Sequence, residues 1–138
     1  MTEFKAKKSV ALSGVAAGNT ALCSVGRTGN DLHYRGYDIA DLANCTFEEV
    51  AHLLIHGTLP TLNELHAYQQ HLRSLRVVPA EVRAALELLP ATAHPMDVLR
   101  TGVSVLGAIE PEAADHSEVW AKAIADRLIA CLPSMLCY

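Results

Sequence analysis

Long hydrophobic runs, an excess of basic residues and paired cysteines are all missing from this 138-residue chain. A membrane-spanning helix needs about 18 or more consecutive apolar residues, and no such run occurs, so no membrane partner is expected. The start, "MTEFKAKKSV", carries three lysines but no long apolar stretch with a small-residue cleavage site after it, which argues against a secretory signal. Lysine and arginine number 11 against 15 aspartate and glutamate, a net charge of −4, so a polyanion-binding surface and a nucleic-acid partner are not expected. Cys23, Cys45, Cys131 and Cys137 are scattered, without a Cys-x-x-Cys pair or a structural-zinc spacing; the expectation is reduced, mostly buried thiols in a cytoplasmic protein. No Gly-x-Gly-x-x-Gly, Gly-x-x-x-x-Gly-Lys or Gly-x-Ser-x-Gly is present, so the common phosphate cradles and the nucleophile elbow are absent.

What is there is apolar and helical. Hydrophobic residues make up 51% and charged residues 19%, which does not suggest disorder, and a chain of this length can bury roughly two thirds of its unfolded surface in one domain. The expected division is an amino-terminal arm over 1–18, a β-hairpin over 19–37 and a helical segment over 38–138. In the hairpin, "TALCSV" and "DLHYRGY" flank Gly26-Arg-Thr-Gly29-Asn30, where glycine and asparagine supply positive φ. Thr46 to Glu49 and Thr61 to Glu64 have the spacing of capping boxes and predict the starts of "FEEVAHLLIH" and "LNELHAYQQHLRSLR". Pro79 suits the start of a further helix, about Ala80 to Leu89, and Asp115 to Glu118 a box opening the last one.

The stretch "HPMDVLRTGVSVLG" reads as a helix beginning at Pro95. Met96, Val98, Leu99, Val103, Val105, Leu106 and Ile109 cover most of its circumference, while Gly102, Ser104 and Gly107 leave room for close neighbours, so a central, buried helix is expected. His94 then stands as a helix-start residue. His52 and His56 lie four apart on one helix face and could hold a metal. Leu53 follows His52, however, so the glutamate of a His-Glu-x-x-His site is absent, no third ligand is indicated, and a satisfied histidine pair is expected instead. His66 and His71 read as solvated surface. Arg35, between two aromatics, is expected to pair with Asp38 at the hairpin exit. No catalytic, cofactor-binding or metal-binding residue emerges from these motifs.

Four segments in order, "KKSVALSGVAAGNTALCSVG", "NDLHYRGYDIADLA", "FEEVAHLLIHGTLP" and "HPMDVLRTGVSVLG", resemble the amino-terminal part of the citrate synthase family, and the first is most similar to its 2-methylcitrate branch. The resemblance implies a mainly α, multi-helix fold: part of that family's large helical domain, behind a small β-hairpin. It implies a homodimer that condenses an acyl-CoA, propionyl-CoA or acetyl-CoA, with oxaloacetate, without metal or redox cofactor. In such enzymes a carboxylate removes the α-proton of the thioester while histidines assist at the enol and at the carbonyl. Those groups belong to motifs of the kind Gly-Pro-x-His-Gly-Gly and Gly-x-Gly-His, and neither occurs here. The chain is therefore expected to be an amino-terminal piece that supplies scaffold and dimer surface. The alternatives are citrate synthase proper and a stand-alone helical interaction module.

Overall fold

A computed structural model of the chain describes residues 18–26, 29, 31–112 and 117–138. Of the expected arm only Gly18 falls among them. Two short strands, β1 (Cys23–Val25) and β2 (Leu32–Tyr34), pair antiparallel with Cys23 opposite Tyr34 and Val25 opposite Leu32. Gly26 and Gly29 take φ of 64° and 84° in the connection, the left-handed conformation for which glycine was expected there. The hairpin does not end at Tyr37. A two-residue strand, β3 (Tyr37–Asp38), pairs with β2 and makes a three-stranded sheet in the order β1-β2-β3. Its turn is Arg35-Gly36, with φ of 48° and 91°, the consecutive positive angles of a type I′ hairpin turn.

Helices follow, each opened by local chemistry. Asp38 accepts from the Ala40 amide at 2.8 Å and starts a single turn, α1 (Ile39–Leu42). Both central capping boxes form. At α2 (Phe47–His56) the Glu49 amide donates to Thr46 Oγ1 at 3.4 Å and the Thr46 amide to Glu49 Oε2 at 2.6 Å; at α3 (Leu62–Ser74) the matching distances for Thr61 and Glu64 are 3.4 and 2.8 Å. Gly57 closes α2 at φ 98°. Pro79 precedes α4 (Ala80–Glu87), and Pro95 occupies the first turn of α5 (Pro95–Ile109). The last helix, α6 (Glu118–Leu136), begins two residues later than expected from an Asp115 cap. Ser117 is the capping residue and accepts from the Trp120 amide, while Asp115 lies outside the described residues. Pro133 sits inside α6 and leaves the Ile129 carbonyl without its helical donor.

Two small cores share α6. One is built from Val82 and Leu86 of α4, Leu106 of α5, and Cys131 and Met135 of α6; the other from Ala51 of α2, Tyr68 and Leu72 of α3, and Ala130 of α6. Gly102 permits the closest approach, because a Cβ there would stand 2.9 Å from Met135 Sδ. Gly107 has open space instead.

The expected all-round burial of α5 is not found. Gly102 and Leu106 are buried, Val98, Leu99 and Val105 are half-buried, and Met96 is 64% exposed. Among the described residues only α4 and α6 pack extensively on this helix, so one flank is covered and the other left open. The thiols differ from expectation as well. Only Cys131 is buried, and its environment pushes the thiol up; Cys45 is half-buried, Cys23 and Cys137 are exposed, and all four are free. Among the described residues no helix is long and apolar enough to cross a membrane.

Candidate functional site

A dense group of ionisable side chains lies where α2, α3 and α6 meet. Its centre is Asp126, a carboxylate on α6 that is only 3% exposed. A buried charge is costly unless it is given hydrogen-bond donors. Tyr68 of α3 donates its hydroxyl to Oδ1 at 2.7 Å, and His56, the last residue of α2, places Nε2 at 3.1 Å from Oδ2 and 3.3 Å from Oδ1. His71, in the last turn of α3, brings Nε2 to 3.8 Å from Oδ2. Both histidines sit at helix C-termini, where the backbone dipoles favour positive charge. Burial, and then the bond to Asp126, push the Tyr68 phenol well above its usual value, so it is held as a proton donor.

The expected histidine pair is part of this group. His52 and His56 stack with ring centroids 4.8 Å apart, and Tyr68 meets both edge-on at 5.2 and 5.3 Å. His52 Nδ1 lies 2.7 Å from the Thr58 carbonyl and so carries the proton that it donates. Each of these two rings therefore has one nitrogen engaged by the protein. Among the described residues no group of three or more His, Cys, Asp or Glu is placed to hold a metal ion. His66 is exposed as expected, whereas His71, though half in solvent, faces Asp126.

Arg35 does not pair with Asp38. Its guanidinium donates from Nη2 at 2.8 Å and from Nε at 3.3 Å to the Leu54 carbonyl. That carbonyl is one of the last four of α2, which lack intrahelical donors, so the arginine caps the helix and ties the sheet to it. Asp38 is drawn to the Ala40 amide instead, with Oδ2 at 3.8 Å from His33 Nε2. A second arginine, Arg127, was not singled out by any motif. It grips Glu110 with two hydrogen bonds of 2.7 and 3.0 Å and donates to the carbonyls of Leu75 and Val77, joining the end of α5 and the α3–α4 link to α6. Those bonds hold the Glu110 carboxyl below its usual range.

His94 is where a helix-start residue should be. Its Nδ1 accepts from the Met96 amide at 3.1 Å, filling the role usually taken by serine or aspartate. Asp126 and Tyr68 were not recognised as partners from the sequence. The one signal was an aspartate set among apolar neighbours in "AIADRLIA", which in a buried helix requires a donor from elsewhere. Between α5 and α6 lies an open groove of about 390 Å³, lined by Val103, Leu106, Trp120, Ile124 and Leu128 with Glu110 and Arg127 among them. The group around Asp126 ties helices together; the groove is apolar surface.

A mainly helical chain of this order, fronted by a small antiparallel sheet, is the architecture of citrate synthase structures. The family described as citrate synthase, C-terminal domain, matches residues 11–138, and the chain belongs to the citrate synthase family. It is 50% identical, over its whole length, to the 2-methylcitrate synthase of Shewanella oneidensis, of which it covers 36%. It is 43% identical over 91% of its length to a citrate synthase of Mycolicibacterium smegmatis, covering 33% of that protein. The crystal structure of citrate synthase from Thermotoga maritima superimposes with a TM-score of 0.74 at 32% identity, over 92% of this chain and 32% of that one. The chain thus spans about a third of the length of the relatives that it matches.

Proposed function

We propose that this chain is the amino-terminal helical part of an acyltransferase that condenses propionyl-CoA with oxaloacetate to 2-methylcitrate and CoA, acting in the cytoplasm as a homodimer. The observation that carries this reading is the 50% identity, along the entire chain, to a 2-methylcitrate synthase. The chain's own share is the frame and the surface for the partner subunit. Two features support that share. The histidine motifs expected of the catalytic groups, Gly-Pro-x-His-Gly-Gly and Gly-x-Gly-His, do not occur in it. Asp126, Tyr68, His56 and Arg127 are engaged with one another, with Glu110 or with backbone carbonyls, in ties between helices.

The test is oxaloacetate-dependent thiol release by the complete polypeptide carrying this chain, with propionyl-CoA and acetyl-CoA compared by kcat/KM. A higher value for propionyl-CoA is expected. Preference for acetyl-CoA would assign the protein to citrate synthase proper, and no turnover with either would overturn the reading.

A further inference from the structure

We draw no further inference here: the strongest candidate, the open apolar groove of about 390 Å³ between α5 and α6, carries nothing because nothing in the structure shows what covers it.

Discussion

Cutting the bond between Tyr68 and Asp126 tests whether the buried carboxylate holds α3 and α6 together. Tyr68→Phe removes a short hydrogen bond to an ionised acceptor, and bonds of that kind contribute about 1.5 to 3 kcal/mol. Asp126→Ala removes the acceptor and strands the phenol hydroxyl of a side chain that is only 6% exposed. Leaving that buried donor unpaired costs about 1 to 3 kcal/mol, in addition to the bond lost to His56. The double variant should lose little more than Asp126→Ala alone, since with the hydroxyl gone no buried donor is stranded. A double-mutant cycle by urea unfolding is therefore expected to return a coupling of about 1.5 to 3 kcal/mol. A coupling under about 0.5 kcal/mol, the additivity of unconnected sites, would refute the reasoning. The same tyrosine carries a pH signature. Its folded pKa is raised, so its contribution is complete below the unfolded value of about 10 and is lost as pH climbs from there through the folded value. Stability above pH 10 should fall more steeply in the wild type than in Tyr68→Phe.

Thr46→Ala and Thr61→Ala should each cost about 1 kcal/mol in the same assay, because each deletes a capping oxygen. The threonine amides, and then the hydroxyls, hold Glu49 and Glu64 below 4.5, so their contribution is present above that value and lost as pH falls below it; Glu49→Gln with Glu64→Gln should flatten the acid limb of a stability–pH curve. Leu106→Ala, at a site 4% exposed, should cost about 2 to 5 kcal/mol and exceed half-buried Leu99→Ala. His94→Ala should lose a cap and leave kcat of the complete enzyme within a few-fold, whereas a thousandfold fall with the fold intact would make His94 catalytic. The 138-residue chain by itself should release no thiol from propionyl-CoA with oxaloacetate and should self-associate in light scattering, given the open flank of α5 and the exposed Val119 and Trp120; a monodisperse, active monomer would contradict the scaffold assignment.

Features closed within a few residues were legible in the sequence. The Thr46 and Thr61 boxes, the Gly57 stop and the Pro95 start each need only neighbours three or four positions away, so spacing alone reveals them. Short elements escaped: β3 has two residues and α1 has four, too few for any periodicity, and Arg35 stands where a type I′ turn usually places asparagine or glycine. Ser117 and Asp115 offer equivalent capping chemistry, which spacing in the sequence does not rank. The Asp126 group was out of reach for a different reason. Its partners lie 58 and 70 positions away, and no local rule connects them. For α5 the apolar circumference is legible as composition; its burial depends on neighbours, and among the described residues only one flank has them.

That both cores draw on α6 sets a timetable for synthesis. Ala130 and Cys131 are adjacent, yet one completes the core of α2 and α3 while the other completes that of α4 and α5. Until α6 has left the ribosome neither core can close, however well the earlier helices are capped. At roughly 5 to 20 residues per second, the 70 positions between His56 and Asp126 take roughly 4 to 14 s to make. From the moment each is made until α6 emerges, Tyr68, Val82 and Leu86 lack the α6 side chains of their cores. Any helix that forms before then presents an apolar face without its partner, the kind of surface that makes incomplete chains prone to aggregate.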